Sequence, residues 1–406
     1  MALRIVASRP DPAIVTLPWS TPLEEWPDDV VVPLARGLSR HVVRIVRLGD
    51  RIYAVKETQE PIAFREYRTL RDLQRLGVPA VVPQAVVTGR EDEQGNELPS
   101  ALLTEHLRFS LPYRSLFEHG LTADDLPRII DALVVLLVRL HLTDFYWGDV
   151  SLSNVLFRRD AGGFAAYLVD AETGELRASI SDRMRAYDLE VAAENVYAEI
   201  LDLEASGALP ADFPVEGVVA QLRDRYEALW DELTAETRFP VGEMWQIERR
   251  IERLNDLGFD VEELDIVTDY DGDTVMLRPR VVELGHHQRT LRGLTGIQAE
   301  DEQARRMLND IAAYTASRDL GGLSREVVAQ RWLKEIYEPI VAMIPETARG
   351  KLEPAEIFHE ILVHRWYLSE RAGHSVKLLD AARDYMDSVL LSRPDEALAT
   401  PADAGV

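Results

Sequence analysis

The apolar positions of the first hundred residues come mostly in short runs of strand length. Val30–Leu34 is continuously apolar, and His41–Leu48 alternates and is rich in β-branched residues. Gly49-Asp50 is a hairpin turn signal, so Arg51–Lys56 reads as a third strand. The spacing then changes. Phe64, Tyr67, Leu70, Leu73 and Leu76 recur every three to four residues, which predicts a helix over Ala63–Leu76 with one buried face. Gly77 and Pro79 end it. Val81–Thr88 and Ala101–Leu107 return to strand, with the polar loop Glu91–Glu97 between them. Leu126–His141 is apolar nearly all round, which predicts a helix buried on most sides. Short strands at Val155–Phe157 and Ala165–Val169 flank the loop at 160–163, and helices return at Tyr187–Leu203 and Val215–Leu233.

Beyond Phe239-Pro240 the helical period dominates. A charged helix is expected at Met244–Leu257, then two strands, Asp265–Thr268 and Val275–Glu283, around Asp-Tyr-Asp-Gly-Asp (269–273). Long helices follow at Asp301–Arg318, Ser324–Ile344, Pro354–Arg371 and Ser375–Leu391. The class is α+β. The expected organisation is an N-terminal extended arm (1–25), a small β-rich lobe (26–107), a helical lobe (108–235), a mainly helical C-terminal domain with a short β-hairpin (236–392) and a disordered tail (393–406).

Composition narrows the classes. The 406 residues are 46% apolar, as in a folded soluble protein, and suffice for two or three cores. The longest apolar run, around Ala132–Val138, is too short to span a bilayer. The N-terminus lacks the apolar core of a signal peptide, and the absence of cysteine excludes disulfides and thiolate metal sites. A cytoplasmic protein is the expectation. The net charge of −25 argues against broad nucleic-acid binding and against docking on anionic lipid. It also repels anionic substrates, so a phosphate site must be built locally from a lysine, metal ions or backbone amides.

The lysines respond to that requirement. There are four, at 56, 334, 351 and 377, so Lys56 is alone in the first 333 residues. A compact ammonium suits phosphate as a point charge, where the guanidinium fork does not substitute for it. Its partners lie downstream. The buried helix ends at His141, and Trp-Gly-Asp-Val-Ser-Leu-Ser-Asn (147–154) follows, with Asp149 and Asn154 five apart. Sixteen residues later Asp170 stands at the exit of the strand Tyr-Leu-Val-Asp.

Lysine on a third strand, Asp-x4-Asn after a buried helix and Asp after a further strand resemble the protein-kinase-like superfamily. The phrase Phe-Arg-Glu-Tyr-Arg-Thr-Leu-Arg-Asp-Leu-Gln-Arg-Leu-Gly-Val-Pro (64–79) is similar to the lipopolysaccharide-kinase branch, over about residues 30–205. The resemblance implies a two-lobed kinase-like fold and an ATP- and Mg2+-dependent phosphotransferase. In it Lys56 binds the α- and β-phosphates and Glu66 fixes the ammonium. Asp170 and Asn154 hold Mg2+, with Glu172 a further metal ligand. Asp149 orients the acceptor hydroxyl, the backbone around Gly37 covers the phosphates, and Glu105, His106 and Leu107 form the hinge that meets adenine.

Four departures stand out. The phosphate loop keeps Gly37 but not the triple-glycine pattern. Trp147-Gly148 replaces the His-Arg pair before the catalytic Asp of ordinary protein kinases, which removes the arginine that receives a phosphorylated activation loop. Asp-Ala-Glu (170–172) replaces Asp-Phe-Gly. The Lys56–Glu66 spacing of ten is also short for this fold.

From about residue 230 the chain resembles a domain of unknown function found fused to such kinase-like domains, through the phrases at 284–296 and 353–370. It offers a surface for a protein partner. His359-Glu360 with His364 spaces its imidazoles by five, so on a helix they diverge by about 140° and make a poor zinc site. The acidic run at 269–273 reads as a hairpin turn, and His286, His287, Arg289 and Arg292 as a basic surface loop. Two other functions fit the same residues: a nucleotide-binding pseudokinase that acts as a regulatory module, and an AMP transferase. The acceptor, a sugar or glycan hydroxyl or a protein Ser/Thr, and the oligomeric state are not legible.

Overall fold

The structure is a computed structural model and describes residues 2–8, 11–32, 41–49, 51–118, 121–210, 213–235, 237–240, 249, 259–268 and 274–396. Two compact units divide the chain: residues 1–158 with 166–226, and residues 159–165 with 227–399.

A five-stranded antiparallel sheet opens the first unit. Its strands are β1 (Arg4–Ala7), β2 (Val43–Leu48), β3 (Arg51–Thr58), β4 (Pro83–Thr88) and β5 (Ser100–Glu105), in the order β1-β4-β5-β3-β2. Helix α1 (Glu60–Arg75) leaves β3 after Gln59 and packs on β4 and β5. It buries Ala63, Tyr67, Leu70 and Leu73, the face its periodicity predicts, and one carboxylate with them, Glu66. Of the strand expected at Val30–Leu34, the described residues 30–32 carry a single bridge, between Val31 and Val46, and residues 33–40, Gly37 included, lie outside the described residues.

The described part of residues 1–25 is not the extended arm that its scattered Pro and Trp suggest. β1 pairs with β4, and 3-10 turns at Pro12–Thr16 and Leu23–Glu25 fold Ile14, Trp19, Leu23 and Trp26 into the core beneath Val46 and Tyr53. Arg90 fastens this segment. Its buried guanidinium donates to Glu57 (2.7 Å) and to the carbonyls of Trp19 (3.2 Å), Thr21 (2.7 Å) and Pro99 (2.8 Å). A charge so deep is tolerated because its donors are matched. Irregularly spaced aromatics carry no period, which is why the pattern misses this layer.

The rest of the unit is mainly helical: β6 (Ser110–Pro112), α2 (Tyr113–Glu118), α3 (Leu126–Leu142), β7 (Phe145–Tyr146), β8 (Val155–Asp160), β9 (Gly163–Leu168), β10 (Glu175–Leu176), α4 (Asp182–Ala205) and α5 (Val215–Thr234). α3 is buried along nearly its whole circumference, as its pattern requires. β6, β8 and β9 form a small sheet, and β7 pairs with β10. These short pairings fix the loops between β7 and α4.

The second unit carries β11 (Thr237–Pro240), β12 (Phe259–Thr268) and β13 (Thr274–Leu284), ordered β11-β13-β12, then helices α6 (His286–Thr295), α7 (Asp301–Ser317), α8 (Arg325–Trp332), α9 (Glu338–Ala342), α10 (Pro354–Ala372) and α11 (Leu378–Ser388). The single helix expected over Ser324–Ile344 is interrupted by a π-helical turn at Leu333–Tyr337, just before Pro339. A proline lacks the N–H and its ring crowds the carbonyl four residues back, so a widened turn ahead of it relieves the clash. The basic cluster expected on a surface loop lies instead on α6, with His287 Nδ1 2.9 Å from Asp301 Oδ2. The expected helix at 244–257, Arg249 apart, and the turn at 269–273 lie outside the described residues. Among the described residues no helix is long and apolar enough to cross a membrane.

Candidate active site

Lys56 lies on β3 between Val43 of β2 and Leu102 of β5. Its Nζ is 3.1 Å from Glu66 Oε2, 2.9 Å from Asp170 Oδ2 and 3.4 Å from Glu172 Oε2. The ten-residue spacing suffices because β3 ends at Thr58 and α1 begins at Glu60, so Glu66 comes within two turns on the buried face. Burial pulls the Lys56 ammonium down, but Glu66 and Asp170 outweigh it and hold it above the ordinary lysine value. Burial pushes Asp170 up, and the Lys56 charge more than reverses this, so Asp170 is held below the ordinary carboxylate range. Glu66 is the reverse case: burial dominates and pushes it up to about 7 despite Lys56. Asp170 is thus the firmly ionised partner.

The segment 170–172 is gripped by α1 from two adjacent residues. Glu66 Oε1 accepts the Ala171 N–H at 3.4 Å, and Arg65 donates to the Glu172 carbonyl at 2.7 Å. Glu172 N–H donates to Asp170 Oδ1 at 3.0 Å, and His41 Nε2 stands 2.8 Å from Glu172 Oε2. Carboxylate oxygens of Glu66, Asp170 and Glu172 lie within 4.8 Å of one another. The sequence reading had Glu66 serving the lysine alone, whereas the fold brings it into the same acidic group as Asp170 and Glu172.

Asn154 Nδ2 donates to Asp149 at its carbonyl (2.9 Å) and Oδ2 (3.2 Å), so the two motif residues are in direct contact. Val169 N–H donates to the Asn154 carbonyl at 3.1 Å, which brings Asn154 beside the strand exit that carries Asp170. Asp188 of α4 accepts the N–H groups of Trp147 (2.8 Å) and Gly148 (2.7 Å) and meets His141 Nε2 at 3.2 Å. Gly148 has φ +78, and a Cβ there would sit 3.2 Å from the Tyr146 ring, so glycine suits this turn. On the far side Thr173 Oγ1 donates to the Trp147 carbonyl at 2.9 Å, and Gly174 packs on the Phe145 ring. Only residues 171–181 separate Asp170 from α4. That stretch is short and is pinned at Thr173 and by the pairing of β10 with β7.

Asp188, Asn195 and Glu199 were missed in the sequence. Their signal is polar residues on the apolar face that carries Leu189, Ala192, Val196 and Ile200.

A cavity of about 1010 Å3 collects Lys56, Glu66, Asp149, Asn154, Asp170 and Glu172, and Glu105, His106 and Leu107, expected at the hinge, line it as well. The hinge is partly committed to the sheet: Glu105 N–H donates to Val82 (2.8 Å) and His106 N–H to Ile52 (2.9 Å). Burial pulls the His106 ring down to about 4, so it is neutral at pH 7.

Residues 45–199 match the lipopolysaccharide kinase (Kdo/WaaP) family, and residues 228–390 match a domain of unknown function, DUF4032. The chain thus joins a kinase-like region similar to the lipopolysaccharide-kinase branch to a region similar to DUF4032. Its β-rich N-terminal region and helical remainder agree with that family's fold. A solved structure described as WaaP in complex with acyl carrier protein is 18% identical, covering 62% of this chain and 99% of that chain at a TM-score of 0.34. The curated proteins give no match.

In the DUF4032 domain the His359–His364 pair does not converge. His359 is buried, and burial pulls its ring down to about 4. His364 Nε2 meets Asp384 Oδ2 at 2.6 Å, and Glu360 is taken by Arg393 at 2.7 Å and by the Tyr385 hydroxyl. Among the described residues, the group of His, Asp and Glu spaced for a metal is Glu66, Asp170 and Glu172 in the kinase-like domain.

Proposed function

We propose that the kinase-like domain transfers the γ-phosphate of ATP, with Mg2+, to a hydroxyl of an acceptor. The observation that carries this is the Lys56 ammonium, 3.1 Å from Glu66 and 2.9 Å from Asp170 in a cavity that also holds Asp149 and Asn154. Phosphoryl transfer needs positioning and charge neutralisation more than covalent help. On a chain of net charge −25, Lys56 supplies the local cation for the α- and β-phosphates. Glu66 restrains that ammonium by charge and hydrogen bond.

Carboxylate oxygens of Asp170 and Glu172, grouped with those of Glu66, are hard oxygen donors that suit magnesium, and the amide oxygen of Asn154 would complete the set. Bound there, Mg2+ would neutralise phosphate charge. Asp149, held by the Asn154 amide, orients the acceptor hydroxyl and takes its proton late in the transfer. At the hinge the Leu107 N–H is the donor left by the sheet for an adenine edge, since those of Glu105 and His106 are engaged. Similarity to the lipopolysaccharide-kinase branch favours a sugar or glycan hydroxyl over a protein Ser/Thr, and ATP as donor favours a cytoplasmic site.

The test is incubation with Mg2+ and ATP labelled separately at the γ- and α-phosphates, with intact mass of protein and of added glycans. γ-Label on an acceptor, lost in Lys56→Ala, Asp149→Ala and Asp170→Ala and on chelation of Mg2+, is the expected result. α-Label on the acceptor would make the protein an AMP transferase, and nucleotide binding without turnover would make it a regulatory module.

A further inference from the structure

Helix α4 meets the loop that carries Asp149 at three successive points. Asp188 takes the N–H groups of Trp147 and Gly148. Asn195 Nδ2 donates to the Val150 carbonyl at 2.9 Å and stands 3.5 Å from Asp149 Oδ1. Glu199 accepts the N–H of Leu152 at 2.8 Å, the N–H of Ser153 at 2.8 Å and the Ser153 hydroxyl at 2.5 Å. Positions 188 and 199 are eleven steps apart, about three helical turns, with 195 between them, so one face presents all three.

Asn195 and Glu199 differ from a core's usual contents. Their neighbours on that face are Ala192, Val196 and Ile200, and an apolar side chain at 199 would extend the same stripe. Burial of an acid is weak support for a fold, because an apolar replacement of similar volume does as well or better. What an apolar residue cannot do is hold two consecutive amides. Those amides belong to the two residues that precede Asn154, and the carbonyl held by Asn195 belongs to the residue after Asp149. The interval between acceptor-orienting acid and metal ligand is therefore fixed at both ends from one rigid helix.

We infer that Asn195 and Glu199 are positioning residues for phosphoryl transfer: they set the distance and orientation between Asp149 and Asn154 through the backbone of residues 150–153. This rests on the phosphotransferase reading above. A displacement of about 1 Å between reacting groups lowers rates by roughly a hundred-fold, so the clamp acts on turnover and leaves the nucleotide anchor, Lys56, untouched.

The test compares full-length wild type with Glu199→Gln and Asn195→Ala by three measurements: amide hydrogen exchange over 147–155, ATP affinity, and kcat and KM for γ-phosphate transfer. Loss of a charged acceptor from a buried hydrogen bond weakens it by roughly ten- to a hundred-fold. Glu199→Gln is expected to speed exchange at 152–153 about ten-fold or more, with exchange in α3 unchanged, and to lower kcat by a similar factor, with KM for ATP within about two-fold. Asn195→Ala, which removes no buried charge, is expected to act in the same direction less strongly and decides the matter if Glu199→Gln does not fold. Unchanged exchange in the loop, or a loosened loop with wild-type kcat, overturns the clamp. A wild type that transfers no γ-phosphate sinks the phosphotransferase reading and the catalytic role with it. The exchange comparison alone then reports the clamp, so the two failures appear in different measurements.

Discussion

Glu66→Gln is expected to make this protein more stable at pH 8 and less active. Glu66 is 0% exposed on α1, and burial pushes its carboxyl from 4.5 to about 7 in spite of Lys56. A carboxyl raised in the folded state binds its proton more tightly folded than unfolded. Its stabilising effect is complete below pH 4.5 and is lost as pH rises through about 7. The difference, 7 − 4.5, corresponds to about 3 kcal/mol. Glutamine keeps the shape and stays neutral, so it escapes that loss. The variant should equal wild type near pH 4.5 and exceed it by about 3 kcal/mol at pH 8, a rise in Tm of about 6–12 °C for a unit of this size. Activity moves the other way. Lys56 keeps Asp170 at 2.9 Å and Glu172 at 3.4 Å but loses its fixed partner, so phosphoryl transfer falls by about ten-fold or more. The assay is urea and thermal unfolding of both proteins between pH 5 and 8, beside γ-phosphate transfer at pH 8. A variant less stable than wild type at pH 8, or an offset that does not change with pH, would refute the reasoning: the Lys56–Glu66 attraction would then outweigh burial.

Arg90→Ala should destabilise the kinase-like domain by about 3–5 kcal/mol in denaturant unfolding, because it leaves buried Glu57 without its cation and frees the carbonyls of Trp19 and Thr21 in the N-terminal segment and of Pro99. Loosening should show first as faster hydrogen exchange at residues 14–26. Gly174→Ala places a methyl 2.2 Å from the Phe145 ring, which is itself buried, so it should cost about 1–3 kcal/mol and lower transfer by shifting 170–174. Phe145→Leu should restore part of that activity in the double variant. Trp332 stacks on Tyr337 (5.9 Å) and meets Phe358 edge-on (5.6 Å) while its Nε1 donates to Asp310 (2.7 Å), so Trp332→Ala should cost the DUF4032 domain about 3–5 kcal/mol, read as lost protection in α8 and α10.

Much of the site was legible because its chemistry is written in residue types at ordered positions. Lys56 was conspicuous against an arginine-rich background, and Asp149, Asn154 and Asp170 follow an order and strand context that few chains share. What was not legible depended on partners far apart in sequence. Glu66 was identified as a lysine partner, but its place in the group with Asp170 and Glu172 comes from the way 170–172 folds back on α1. A hinge was expected at 105–107, yet only the fold shows that the Glu105 and His106 amides are already used, by Val82 and by Ile52 of β3. Asp188, Asn195 and Glu199 were missed because their one signal, a polar residue on an apolar helix face, does not say which loop it meets.

The chain's periodicities alone determined the large elements: the β-rich start, the all-round apolar α3 and the long helices of the DUF4032 region, since burial of a face is encoded every second or every third to fourth residue. The same patterns failed where no period exists. Ile14, Leu17, Trp19, Leu23 and Trp26 form a buried layer fastened by Arg90, and the helix at 324–344 breaks at a π turn ahead of Pro339. Local sequence fixes which conformations are cheap and which groups can react. Tertiary structure alone decides which buried amide or carboxylate finds a partner, because that depends on residues brought together across the chain: Lys56 with Asp170, and the loop of Asp149 with α4.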